Sequence, residues 1–255
     1  MEILAPPTWR AIDFISDLHL SEETPRTFEA WARYLVDTTA EAVLILGDLF
    51  EAWIGDDARV EGFEARGAAV LREAASRRMV GFMVGNRDFL LGRAMLDACG
   101  VAPLDDPTVI SAFGARVLLV HGDALCLGDV EYQQFRAIVR GEEWQSDFLS
   151  RPLEERRAMA RAMRAESERR KTEGGPWYDV DGEAAVGALK SARATTLVHG
   201  HTHRPASEAL APDRWRHVLS DWDLDSADPP RAEVLRWDAS GFHRITPDDA
   251  VRRPA

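Results

Sequence analysis

The chain has 255 residues, with 43 acidic against 31 basic side chains and a formal net charge of -12. That balance excludes a general nucleic-acid coat, which needs a basic surface to meet phosphate, while 45% hydrophobic residues suffice for a substantial core. Two cysteines, Cys99 and Cys126, make no disulfide framework and fit a reducing compartment. No apolar run approaches the roughly 20 residues of a membrane helix, and the opening MEILAPPTWR lacks the basic start and apolar stretch expected of a signal peptide.

Apolar runs at Ala11–Ile15, Ala42–Leu46, Val80–Val84 and Val117–Val120 are short, rich in Val, Ile, Leu or Phe, and closed by polar clusters. They predict strands buried on both faces. Between the first two, Phe28, Trp31, Tyr34 and Leu35 recur at helical spacing behind Pro25, a helix-start residue. Phe63, Arg66, Val70 and Leu71 mark a second helix less cleanly. The alternation predicts a layered α/β fold with a largely parallel sheet.

The pattern changes from Glu131 to Gly175. Tyr132, Phe135, Ile138 and Val139 form one amphipathic stretch, and Trp144, Phe148 and Leu149 another. Leu153–Lys171 is strongly helical, with Met159 and Met163 on one side and Arg156, Arg157, Arg161, Arg164, Arg169 and Arg170 over the rest, ending at Gly174, Gly175 and Pro176. No strand pattern interrupts these residues, so 131–175 reads as a helical insertion within a single domain spanning 1–255. Ala184–Ala192 predicts a further helix, and Thr195–Val198, His217–Leu219, Ala232–Trp237 and Phe242–Ile245 predict strands, the last two joined by a turn at Asp238–Gly241.

Five polar clusters stand at or near strand ends: Asp17-Leu18-His19, Gly47-Asp48 with Glu51 nearby, Gly85-Asn86-Arg87-Asp88, His121-Gly122-Asp123 and Gly200-His201-Thr202-His203. Ligands of open α/β sheets bind beyond the carboxyl ends of the strands, and each cluster follows its strand closely enough for all five to meet at one edge. A single Asp after a strand is ordinarily a turn former or helix cap, and a lone His ordinarily a surface residue. Five in series offer carboxylates, imidazoles and an amide oxygen, a mixed donor set suited to Mn²⁺, Fe²⁺ or Zn²⁺ more than to Ca²⁺. His199 sits inside the strand pattern and reads as a supporting or structural residue.

The order D-x-H, GD, GN, H, GHxH resembles the calcineurin-like metallophosphoesterase superfamily. The resemblance implies an α/β sandwich of two β-sheets flanked by helices, here with the helical insertion as a cap. It implies two metal ions, the first held by Asp17, His19 and His203, the second by Asn86, His121 and His201, with Asp48 bridging both. Most relatives carry Gly-Asn-His where this chain has Arg87. A guanidinium is no general acid at working pH, but it clamps phosphate oxygens and stabilises developing charge.

The blocks Gly47–Asp57, Val84–Gly92, His121–Cys126 and His199–Pro205 are similar to those of the UDP-2,3-diacylglucosamine diphosphatase family, over roughly Ala11 to Pro205. That similarity implies hydrolysis of UDP-2,3-diacylglucosamine to UMP and 2,3-diacylglucosamine 1-phosphate in lipid A biosynthesis, by metal-activated hydroxide attack on the α-phosphorus. It implies two Mn²⁺, other divalent metals being possible, and a cytoplasmic protein held peripherally on the inner face of the inner membrane. By the same resemblance Arg87, Asn86 and His19 are catalytic, and Asn86, Arg87, Asp129, Tyr132, Ser167, Lys171 and His201 bind substrate. Asp56, Asp57 and Asp123 either orient ligands or cap helices. Trp144, Phe148, Leu149, Leu153, Met159 and Met163 either line an acyl groove or pack the insertion onto the body, and the arginine-rich helix is expected to approach an anionic membrane surface. No nucleic-acid partner is expected, and the chain is expected to be a monomer or weak oligomer. The alternatives are another dinuclear metallophosphoesterase acting on nucleotides or phosphoproteins, and a non-catalytic scaffold on the same fold.

Overall fold

The computed structural model describes residues 1–172 and 177–252. In chain order the strands are β1 (Glu2–Leu4), β2 (Ala11–Ile15), β3 (Ala42–Leu46), β4 (Met79–Met83), β5 (Ala102–Leu104), β6 (Thr108–Ala112), β7 (Ala115–Leu119), β8 (Thr196–His199), β9 (Ala206–Ala211), β10 (Arg214–Val218), β11 (Val234–Asp238) and β12 (Gly241–Ile245). The helices are α1 (Pro25–Asp37), α2 (Gly62–Ala75), α3 (Arg93–Cys99), α4 (Val130–Val139), α5 (Glu142–Ser150), α6 (Leu153–Thr172), α7 (Gly182–Ala192) and α8 (Pro247–Val251).

The strands form two six-stranded sheets, ordered β12-β11-β2-β3-β4-β5 and β1-β6-β7-β8-β10-β9. Both are mixed. β2, β3, β4 and β5 run parallel, and β11 and β12 add antiparallel at one edge. In the second sheet β7, β8 and β10 run parallel between antiparallel partners β6 and β9. The expected parallel sheet is therefore the core of a two-sheet sandwich rather than one continuous sheet.

Alternation along the strands sorts the apolar residues into layers. Ile12, Phe14, Leu44, Leu46, Ile110, Val117, Leu119 and Val198 fill the space between the sheets. Ile15, Val43, Ile45 and Phe82 face outward into a second core with Trp31, Tyr34, Leu35, Phe63 and Leu71 of α1 and α2. Leu118 and Leu197 face α7 through Ala185 and Leu189. These strands are predominantly apolar because both faces are covered.

The insertion folds as α4, α5 and α6. Trp144 stacks on Phe148 with ring centroids 4.9 Å apart and lies 5.9 Å from Phe89, and Leu153 and Met159 pack on the same core. The packing role of these residues is thus present. Arg156, read from sequence as part of a basic exposed face, is instead buried: its Nη1 donates to Ile54 O at 2.6 Å and to Asp57 Oδ1 at 2.8 Å. Amphipathic arithmetic misplaced it because a buried acceptor and a carboxylate wait beneath the helix. Gly174, Gly175 and Pro176 and the Lys171 side chain lie outside the described residues.

Candidate metal centre

All five polar clusters reach one edge of the sandwich because each follows a strand at its carboxyl end. The turns are tight. Asp17, His19, Asp48, His201 and His203 all adopt left-handed backbone, with φ of 56°, 49°, 54°, 67° and 53°. Each such non-glycine residue costs about 1–2 kcal/mol, and strain of this kind gathers where function fixes side-chain direction. Glycines supply the room. A Cβ on Gly85 would lie 2.1 Å from Asp48 Oδ1, and one on Gly200 would lie 2.2 Å from Asp17 Oδ2. The motif glycines let one loop's backbone touch the next loop's carboxylate.

The donor atoms converge in two groups. Ligand-type atoms of Asp17, His19 and His203 lie within 4.8 Å of one another, and so do those of Asp17, Asp48 and His121. His19 Nε2 is 3.2 Å from His203 Nε2, and His203 Nε2 is 3.3 Å from Asp17 Oδ1. Beside them, Asn86 Oδ1 lies 3.0 Å from His121 Nε2 and 2.8 Å from His201 Nδ1. Asp17 belongs to both groups, while Asp48, the expected bridge, stands 3.7 Å from His121 Nε2.

Two observations fit this set to divalent cations. Asp17 Oδ1 is buried and makes no hydrogen bond among the described residues, a cost of several kcal/mol unless a positive group meets it. His121 Nδ1 lies 2.8 Å from Leu46 O. A ring nitrogen that donates to a backbone carbonyl presents its other nitrogen as a lone pair, the usual arrangement of a metal-bound histidine. Nitrogen and oxygen donors without a thiolate suit a divalent cation such as Mn²⁺, Fe²⁺ or Zn²⁺.

Electrostatics point the same way. Burial opposes charge on His121, yet Asp48, Asp123 and Asp17 raise its pKa to about 9. Burial also works against ionised Asp17, but His203, His121 and His19 hold it well below the ordinary carboxylate range. Burial pushes His201 down to about 4, with the charge of His121 adding. The carboxylates therefore demand positive charge, which a bound cation supplies in place of the imidazolium proton.

Contacts behind the donor atoms fix these loops. Asp88 is fully buried and accepts from Gly85 N and Leu49 N at 2.8 Å each, and from Asp48 N and Phe50 N at 3.3 and 3.4 Å. It ties the Gly-Asp and Gly-Asn turns together. Arg87 donates its backbone N–H to Asp48 Oδ1 at 2.8 Å, and its guanidinium meets Glu51 Oε1 at 3.0 Å. Glu51 also accepts from Arg164 Nε of α6 at 2.7 Å and lies 3.2 Å from His19 Nδ1. Behind His203, Asp221 pairs with Arg231.

The predicted residues divide by place. Asp17, His19, Asp48, Asn86, Arg87, His121, His201 and His203 share the centre. Tyr132 stands beside it, its ring 5.9 Å from that of His201, but its hydroxyl donates to Asp123 Oδ2 at 2.6 Å. Asp123 also accepts from Arg136 Nε at 2.8 Å, so it clamps α4 to the body. Asp129 caps α4 by accepting from Tyr132 N at 3.0 Å. Ser167 lies half-buried on α6, one turn beyond Arg164. Asp56 accepts from Gly92 N and Met95 N at the start of α3, as a helix cap does, whereas Asp57 pairs with Arg156 of α6. His199 is buried at the end of β8, with Nδ1 2.9 Å from Gly200 O. Sequence reasoning missed Asp88 as a tie, Ser16, whose hydroxyl donates to Asp17, and Asp221. The GNRD motif itself was the available signal for Asp88.

Two sheets, flanking helices and a histidine–carboxylate cluster at the strand ends define the class. The calcineurin-like phosphoesterase profile matches residues 11–205, and the chain belongs to that family. A Bordetella pertussis protein named UDP-2,3-diacylglucosamine hydrolase is 44% identical over 248 residues, 94% of each chain. Proteins of the same name from Chromobacterium violaceum and Azotobacter vinelandii are 46% and 43% identical, covering 83% and 91% of this chain and 90% and 96% of theirs.

Proposed function

We propose that this chain hydrolyses UDP-2,3-diacylglucosamine to UMP and 2,3-diacylglucosamine 1-phosphate, a step of lipid A biosynthesis. The observation that carries this reading is a divalent-metal donor cluster with Arg87 beside it, in a chain that matches proteins named for that hydrolysis over nearly their full length. Asp17, His19, Asp48, Asn86, His121, His201 and His203 would hold two divalent cations, with Mn²⁺ the native pair. Bound there, the cations supply Lewis-acid activation of water and neutralise phosphate charge.

The protein's own residues position and stabilise. Arg87 stays charged at every working pH, and Glu51 and the Asp48 loop hold its guanidinium at the centre. It stabilises charge spread over the phosphate oxygens, together with Asn86 and His19. No strong general acid is needed, because the group that leaves is a phosphate. That accounts for an arginine where relatives carry histidine. Asp129, just before the insertion, and Tyr132, Ser167 and Lys171 within it are our candidates for contacts to the sugar and phosphate; the insertion, residues 131–175, acts as the cap of a single domain.

Acyl chains add about 0.8 kcal/mol per methylene transferred from water, and the cap supplies the apolar surface. Val130, Phe135 and Ile138 of α4 are 59%, 42% and 60% exposed. Such a face suits a lipid substrate and a peripheral seat on the anionic inner leaflet. No helix among the described residues is long and apolar enough to cross a membrane. The test is UMP release from UDP-2,3-diacylglucosamine beside a nucleoside-free phosphodiester. Strong preference for the former is expected; equal rates would favour a general phosphodiesterase.

A further inference from the structure

Outside the metal centre, the sheet that carries β8, β10 and β9 bears a hollow of about 240 Å³. Register sets Glu208 opposite Arg216 and Ala206 opposite Val218, with Val218 beside His199. These side chains share the outer face with Leu197. Thr202, between His201 and His203, lines the hollow on the side of the metal centre. It is buried, and its hydroxyl has no hydrogen-bond partner among the described residues, a vacancy that native structures seldom leave unfilled. Trp177 forms the outer wall, with the Arg204 guanidinium 3.4 Å from its ring centroid. Arg216 donates to Asp179 at 3.2 and 2.8 Å and to Glu208 at 2.6 Å.

Two carboxylates balanced by two guanidiniums leave this lining neutral overall. It offers an indole with a guanidinium stacked on one of its faces, carboxylate oxygens with lone pairs to spare, and one unengaged hydroxyl. A second phosphate would meet Asp179 and Glu208 as repulsion, and an acyl chain would strand the polar groups. A neutral heterocycle with an N–H, carbonyls and sugar hydroxyls satisfies all of them. Position agrees. The cap is tied to Glu51, Ile54, Asp57 and Gly85 beyond β3 and β4, and to Asp123 beyond β7, whereas the hollow lies further along that sheet, on β10 and β9 and the loop after β8. A substrate lying across the metal centre has one end under the cap and the other here.

We infer that the hollow bounded by Trp177, Asp179, Thr202, Arg204, Glu208 and Arg216 seats the nucleoside of the substrate, an inference that rests on the hydrolase reading above. The test titrates UMP, and separately ribose 5-phosphate, into the full chain with Mn²⁺ present, for wild type, Trp177→Ala and Glu208→Ala. Trp177 is 45% exposed, so its truncation leaves the fold intact; melting temperature checks both variants. UMP should bind wild type more tightly than ribose 5-phosphate. The substitutions should weaken UMP, by about tenfold for Trp177→Ala, and raise KM for the diphosphate substrate; Trp177→Ala should leave ribose 5-phosphate, which has no base to stack, unchanged. UMP affinity equal in all three proteins, or no advantage of UMP over ribose 5-phosphate, overturns the inference. Failure of wild type to release UMP from the substrate is a separate result and removes the hydrolase reading instead.

Discussion

Replacing Asp88 by alanine tests how the metal loops are held. Its carboxylate accepts four backbone N–H groups, two at 2.8 Å and two at 3.3–3.4 Å, in a fully buried site. Loss of the acceptor leaves the two well-bonded donors, Gly85 N and Leu49 N, without partners. Each buried unsatisfied group costs about 1–3 kcal/mol, so Asp88→Ala should lose roughly 2–6 kcal/mol, a large part of an ordinary domain's stability. Asp88→Asn keeps one acceptor oxygen and turns an NH₂ toward donors, so it should lose about half as much. Urea unfolding of the metal-free chain measures both. The same variants should bind Mn²⁺ more weakly, since Gly85 and Asp48 carry the ligand turns. A loss under about 1 kcal/mol for Asp88→Ala would show that water replaces the carboxylate and would refute the reasoning.

Other outcomes follow from single contacts. Arg87→Ala should retain metal but lower turnover by about 10²–10³, as for removal of one charge-stabilising donor; metal content and kcat measured on one preparation decide it. Gly200→Ala should lose metal binding, because the new Cβ would sit 2.2 Å from Asp17 Oδ2; calorimetric Mn²⁺ titration is the check. His217 is pushed down from 6.5 to about 4, first by burial and then by Arg244. It is therefore neutral in the fold but takes a proton near 6.5 when unfolded. Its contribution is complete above that value and lost as pH falls toward 4, by roughly 2 kcal/mol after allowance for partial exposure. His217→Gln should flatten that part of the stability–pH curve relative to wild type. Arg156→Ala removes the bonds to Ile54 O and Asp57 and should speed amide exchange in α6 while leaving β3 protected.

Legibility in the sequence tracked burial. The central strands β2, β3, β4, β7 and β8 read correctly because both faces are covered and apolar residues dominate them, with Asp13, Arg116, Thr196 and His199 the charged or polar interruptions. β1 and β9 lie at sheet edges, and their mostly exposed sequences, EIL and ASEALA, carry no pattern; they exist because β6 and β10 offer backbone partners. β5 and the seven-residue α3 are too short for periodicity to register, and in β6, TVISA, Thr108 and Ser111 interrupt the apolar run. The division into two sheets was not legible from local pattern, since a buried strand looks alike in either sheet; it came with the family resemblance. The candidate ligands were legible because each follows its strand within a few residues. Their support was not: Glu51 meets Arg164 across 113 positions and Asp88 meets Leu49 across 39. Arg156 misled for the same reason, since its acceptors lie 99 and 102 positions away.

The central claim is a metal-dependent diphosphate hydrolase whose donor cluster is the one built around Asp17 and Asp48. It is tested most directly by measuring UMP release from UDP-2,3-diacylglucosamine by chelated protein as Mn²⁺ is restored, for wild type and Asp48→Ala, with bound metal quantified in both. Wild type should be inactive after chelation and recover as the ions return, and Asp48→Ala should recover neither full occupancy nor turnover. Wild-type UMP release that survives chelation, or equal occupancy and turnover in Asp48→Ala, would contradict the account.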